Sequence, residues 1–184
     1  MNKPQAPSAT DVEQTLQRWR AREDELAARS VPVGLPQPDQ LAGKSGLQIF
    51  EAMLASQVPP APITTTLRFR LVEASLGHAE FQGTPAFEHY NPLGGVHGGW
   101  MATLLDSCVG CAVHTLLPVG KAYTTLELKV NFVKGLTDRV PLVRAIGDVI
   151  HSGSRVATAE GRLVGPDGTL YAHATTTCLI FDAR

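Results

Sequence analysis

The stretch of this sequence best suited to chemistry runs from His97 to Asp106, His-Gly-Gly-Trp-Met-Ala-Thr-Leu-Leu-Asp. A histidine and two glycines lead directly into an apolar, helix-compatible run that carries one carboxylate. Glycine has no Cβ, so its backbone can come close to a ligand. The first N–H groups of a helix have no acceptor inside the helix and carry partial positive charge. A helix opening at Gly98 therefore offers donors to a developing oxyanion, and Gly99 adds to the close approach. A carboxylate among apolar helix residues is costly to bury unless it is paired or used. Together these features describe an acyl-transfer site. Backbone donors polarise a carbonyl, and Asp106 acts as nucleophile or as acid/base.

Spacing adds a constraint. Gly98 and Asp106 are eight residues apart, which on a straight helix is about 12 Å along the axis. One helix cannot bring both to one carbonyl. The expectation is a site at a two-fold interface, with Gly98 from one copy and Asp106 from the other.

Composition bounds the rest. The chain has 184 residues and a net charge of −1, with no cluster of Lys and Arg, so nucleic-acid and membrane-surface binding are not expected. The opening residues lack the apolar core of a signal peptide, and no apolar run reaches transmembrane length. The expected location is the cytoplasm. Three cysteines do not make a disulfide framework. Cys108 and Cys111 have a CxxC spacing but fall well inside the predicted helix, and no second pair completes a zinc site. They read as small buried helix residues, and no metal is expected. No Gly-x-Ser-x-Gly elbow and no phosphate-binding glycine loop is found.

The flanking elements follow from periodicity. Residues 1–10 read as disordered. Asp11 to Arg29 read as a charged helix capped by Asp11, with a narrow stripe of Val12, Leu16 and Trp19. Prolines and glycines over 31–44 make a linker. Ser45 and Gln48 form a capping box for a second helix, faced by Leu47, Phe50, Met53 and Leu54. Alternation from Leu67 predicts a strand, and Gly77 turns it into a second through Ala79 and Phe81. A loop over 85–96 precedes the helix from Gly98 to Leu117, apolar on most sides and so expected to be buried all round. Four strands follow: Tyr123–Val133, Val140–Ile150, Ser154–Val164 and Leu170–Phe181. In the first, Thr124, Leu126, Leu128, Val130 and Phe132 share one face, with Thr125, Glu127, Lys129 and Asn131 on the other. Gly165-Pro166-Asp167-Gly168 marks a hairpin. One apolar helix among six strands predicts an α+β fold, a curved antiparallel sheet wrapped around a central helix: the hotdog arrangement. The division is an N-terminal helix and linker over 1–44 and a hotdog domain over 45–184.

Over about residues 46–181 the sequence resembles hotdog-fold acyl-CoA thioesterases of the phenylacetate-degradation type. The motif is Asn91-Pro92-Leu93-Gly94-Gly95-Val96-His97-Gly98-Gly99 followed by Asp106, with Leu126-Glu127-Leu128-Lys129-Val130-Asn131-Phe132 similar to the family's next strand. The resemblance implies that the Gly98 N–H binds the thioester oxygen and that Asp106 is nucleophile or general base. Asn91 would position water or carbonyl, and His97 would orient the loop. It also implies acyl-CoA or aryl-CoA as substrate, and dimers that pair into tetramers with the site between subunits. Coenzyme A enters as part of the substrate, and no separate cofactor is expected. Related enzymes sometimes carry a hydroxyl one turn after the acid. Here that position is Gly110, with Ala102 one turn before, which suggests a slot of small residues for the acyl group. Arg155, in the Ser152-Gly153-Ser154-Arg155 turn, and Lys134 and Arg139 are candidate anchors for the coenzyme phosphates. Trp100 and Phe132 are read as core rather than pocket. Two other readings stay open: a hotdog dehydratase or hydratase, and a non-catalytic module that binds acyl-CoA.

Overall fold

The computed structural model describes residues 7–183; of the disorder expected over residues 1–10, residues 1–6 lie outside that range, and Ala9 and Thr10 belong to the first helix. The elements are α1 Ala9–Ala28, α2 Pro38–Leu41, α3 Gly46–Leu54, α4 Ile63–Thr66, β1 Phe69–Ser75, β2 His78–Gly83, a 3-10 turn Phe87–His89, α5 Gly98–Thr115, β3 Lys121–Phe132, β4 Val143–Ser152, β5 Val156–Val164 and β6 Leu170–Asp182. All six strands form one antiparallel sheet in the order β1-β2-β4-β5-β6-β3. The sheet curves around α5, whose Leu104, Leu105, Cys108, Val109, Ala112 and Val113 are fully buried against its inner face. This is the hotdog fold. Gly147 lets α5 lie close to the sheet, because a Cβ there would strike the backbone at Cys108.

Helix α1 begins earlier than the sequence suggests. Ser8, not Asp11, is its N-cap: the Ser8 hydroxyl accepts from the Asp11 N–H at 3.2 Å, and the Asp11 carboxylate accepts from the Ser8 N–H at 2.9 Å. The two residues make a reciprocal capping box, which puts Asp11 inside the first turn. The helix lies on the outer face of the sheet. Gln82, buried there, donates to Glu23 at 3.0 Å and to the Trp19 carbonyl at 3.3 Å. The Arg144 guanidinium sits 4.9 Å over the Trp19 ring. Without α1 the Gln82 amide would lose both acceptors, so the helix is tied into the fold.

Three further expectations change. Strand β1 starts at Phe69 rather than Leu67, because Leu67 is the C-cap of α4 and Arg68 takes a left-handed φ of 50°. Helix α5 is not enclosed on every side. A half-buried stripe through Ala102, Thr103, Asp106, Ser107, Cys111 and His114 faces the gap that the two sheet edges, β1 and β3, leave uncovered. Finally, β3 does not alternate cleanly. A bulge between Thr125 and Glu127 shifts its register against β6. An extra residue reverses which side chains face inward. Thr124 and Leu126 are exposed, while Thr125 turns toward α5.

Candidate active site

The start of α5 is fixed by two histidines. His97 is the N-cap, and its Nδ1 accepts from the Gly99 N–H at 2.8 Å. That bond puts the ring proton on Nε2. The His97 N–H donates to the His89 carbonyl at 2.7 Å. His89 is buried, accepts at Nδ1 from the Ala86 N–H at 3.2 Å, and stacks on Trp100 with centroids 5.1 Å apart. Burial pushes its imidazole below the usual range, and its Nε2 is buried without a partner among the described residues. The preceding loop is closed by Asn91, whose side-chain oxygen accepts from the N–H groups of Leu93 at 2.9 Å and Gly95 at 3.4 Å. The Val96 N–H donates to the Leu136 carbonyl at 2.9 Å, joining this loop to the segment after β3.

These bonds single out one donor. The Gly99 N–H is committed to His97, whereas the Gly98 N–H has no acceptor among the described residues. A Cβ at Gly98 would lie 2.9 Å from the Phe132 ring. Phe132 is therefore not core, as its position on β3 suggested. It is 54% exposed and rests over the donor. Trp100 is core, with its indole N–H bonded to the Leu67 carbonyl at 2.8 Å.

Asp106 sits two turns further along α5, on the uncovered stripe. Its Oδ1 accepts from the Thr125 hydroxyl at 3.0 Å. Sequence alternation placed Thr125 on the other face of its strand, so only the bulge reveals this contact. The neighbouring hydroxyls are spent on the helix itself: Thr103 donates to the Gly99 carbonyl at 2.9 Å and Ser107 to the Thr103 carbonyl at 2.8 Å. The slot expected at Gly110 is filled, because a Cβ there would meet the Tyr123 ring at under 3 Å. Burial drives the Cys111 thiol up to about 12 and the Tyr123 phenol well above its ordinary value. It holds His114 below the usual imidazole range. Thiol, phenol and imidazole are therefore neutral at pH 7. Asp106 is the carboxylate on this stripe and the group equipped to act as base or nucleophile. A cleft of about 820 Å³ opens beside it, with Ser107, Cys111 and Tyr123 also on its wall.

Within one chain the two halves stay apart. Gly98 lies against Phe132 and Asp106 against Thr125. Six residues separate those two positions on β3, and along α5 the two halves lie about 12 Å apart. Lys134 and Arg139 are exposed beyond the Phe132 end, with the Lys134 ammonium 5.9 Å from the Tyr171 ring. Arg155, also exposed, lies at the opposite end, where its carbonyl accepts from the Ile180 N–H at 2.8 Å and Ile180 pairs with Tyr123. Among the described residues no helix is long and apolar enough to cross a membrane.

Known proteins are similar to this chain over the same region. Residues 93–172, which hold both the His97-Gly98 turn and Asp106, match the model of the Thioesterase superfamily. A solved Ralstonia eutropha protein, described as phenylacetic acid degradation-related and a proposed thioesterase, is 28% identical. It covers 71% of this chain and 98% of its own, with a TM-score of 0.65. A thioesterase family protein from Silicibacter pomeroyi is 25% identical over 66% of this chain and 90% of its own, at a TM-score of 0.62. A Halobacterium salinarum protein named for a proposed esterase activity is 38% identical over 84 residues, 45% of this chain. The chain spans about half (54%) of that curated relative's length. Over residues 93–172 the chain is therefore similar to the Thioesterase superfamily, and its fold is similar to that of the Ralstonia eutropha protein.

Proposed function

We propose that the protein hydrolyses an acyl-CoA or aryl-CoA thioester to the free acid and coenzyme A, working as a homodimer with its sites between the subunits. The observation that carries this reading is the separation of the Gly98 N–H, which has no acceptor among the described residues, from Asp106 on a helix whose half-buried stripe holds the acid. A second copy supplies what one chain lacks. The outer edge strand β3 suits such an interface: its paired partner β6 lies on one side only, and Leu126, Phe132 and Val133 expose apolar surface along and just beyond it.

In this reading the thioester oxygen accepts from the Gly98 N–H of one subunit, which stabilises the oxyanion as the carbonyl carbon becomes tetrahedral. A preorganised donor of this kind is worth on the order of 3 kcal/mol. Asp106 of the other subunit acts in one of two ways. As a base it takes a proton from water, and the hydroxide adds to the carbon and expels the coenzyme thiolate. As a nucleophile it adds directly, expels the thiolate, and leaves an anhydride that water cleaves. Thr125 holds the carboxylate in one orientation by donating to Oδ1. His97 fixes the donor loop through Gly99, and Asn91 shapes the turn before it while its Nδ2 is available to water or substrate. Antiparallel pairing of two copies sets Lys134 and Arg139 of the subunit giving Gly98 beside Arg155 of the one giving Asp106. This is a suitable cluster for the coenzyme phosphates.

The test is thiol release from a panel of alkyl- and aryl-CoA thioesters by the wild type and Asp106→Asn. The reading expects turnover by the wild type and a loss of at least a hundredfold in the variant. Binding without release in both proteins would replace it with an acyl-CoA-binding module.

A further inference from the structure

The segment N-terminal to the hotdog domain runs past the acid. After α1 the chain passes Ser30, Val31, Pro32 and Val33 and then reaches α3, and these residues share the 820 Å³ cleft with Asp106 and Ser107. This part of the chain contributes Leu26, Val31 and Val33 to the lining, and α3 contributes Phe50, Met53 and Leu54. Both sets are aliphatic or aromatic. The segment is also held in place. Gly34 donates its N–H to the Pro60 carbonyl at 3.0 Å, Arg22 donates to the Val72 carbonyl at 3.0 Å, and Gln82 anchors the middle of α1. A wall fixed at both ends is preformed rather than assembled around a ligand. The volume falls in the range of small-molecule sites, which are mostly apolar with a few placed polar groups. Here the polar groups on the lining include Asp106 and Ser107, together with Glu23, Arg68 and Arg70.

We infer that this cleft is the acyl pocket, and that the α1–α3 segment is its specificity-determining wall, selecting apolar acyl groups of medium length or an aryl ring over acetyl. The assignment rests on the thioesterase reading for its substrate but not for the pocket itself. The neighbouring Gly110 position, closed by Tyr123, leaves the acyl group this route past Ser107 toward Val31. Each methylene buried along the route gains about fourfold in binding. The rate on CoA thioesters should therefore climb with chain length until the pocket is full.

The experiment compares kcat/KM for butyryl-CoA and decanoyl-CoA in the wild type, Val31→Trp and Val33→Trp, with melting curves to confirm folding. Val31 and Val33 lie outside helix and strand, so an indole there fills the cleft without breaking an element. Excluding about three methylenes should lower the decanoyl-to-butyryl ratio roughly sixtyfold, mainly through KM. A ratio within twofold of wild type in both folded variants overturns the assignment. A parallel calorimetric titration of each protein with decanoic acid separates the two claims. If the wild type cleaves no thioester but binds decanoic acid, and Val31→Trp weakens that binding at least tenfold, the pocket stands and the thioesterase reading falls. If decanoic acid binds both equally, or neither, the pocket falls.

Discussion

Thr125 is the residue whose role depends most directly on the bulge in β3. Replacing it with valine keeps the shape and removes the hydroxyl that donates to Asp106 Oδ1 at 3.0 Å. A hydrogen bond to a charged group is worth about 1.5–3 kcal/mol, or roughly 10- to 150-fold if it is expressed wholly in the transition state. Asp106 is half-buried, so water offsets part of that loss. The expected result for Thr125→Val is a kcat lowered about 10- to 30-fold with KM changed little. Mis-orienting the acid slows the chemical step without touching the acyl wall or the phosphate anchors. Thr125→Ser restores the donor and should recover most of the rate. Thiol release followed with a chromogenic reagent measures both constants, and a melting curve confirms that the sheet is intact. A kcat within twofold of wild type in Thr125→Val, or a serine variant as slow as the valine one, would refute the idea that the bulge exists to orient the acid.

Two more outcomes follow from the same geometry. Gly98→Ala places a methyl 2.9 Å from the end of the Phe132 ring, which is more than half exposed and can swing away. The melting temperature should shift by only a few degrees, while kcat/KM falls at least tenfold because the methyl crowds the open N–H; unchanged kinetics would remove Gly98 from the oxyanion role. Burial holds His114 below the usual imidazole range, so below about pH 6.5 the unfolded chain takes up a proton that the folded chain resists, and stability falls as pH drops. The urea midpoint should decline from about pH 7.5 to 5.5, more in wild type than in His114→Phe; equal slopes would show that His114 does not carry this dependence.

Much of this was legible in the residues because the relevant signals are local. Ser45 and Gln48 make the capping box that the sequence spells, with the Ser45 N–H donating to the Gln48 side chain at 2.9 Å. The Gly165-Pro166-Asp167-Gly168 turn closes the β5–β6 hairpin, with Gly168 at a φ of 75°. The helix start at Gly98 is read correctly for the same reason, since glycine pairs and apolar periodicity depend on neighbours a few residues away. What escaped the sequence depends on tertiary fit. The β3 bulge has no marker in Thr124-Thr125-Leu126, because any residue can occupy it, yet it decides that Thr125 meets Asp106. The filling of the Gly110 slot depends on Tyr123 from another element. The openness of one side of α5 depends on where the sheet edges stop, which no helical wheel contains. Likewise, the charged pattern of α1 gave no sign that the segment after it would reach the cleft beside the acid.

The central claim is that Gly98 and Asp106 act on one thioester from different subunits, and subunit mixing tests it most directly. Asp106→Asn and Gly98→Ala proteins, each impaired alone, are unfolded together in equal amounts and refolded. In half of the resulting dimers one of the two interfacial sites receives an unaltered Gly98 and an unaltered Asp106. The account predicts recovery of about a quarter of wild-type thiol release. Activity that stays at the average of the two parent variants would mean that each chain holds a complete site, and would contradict it.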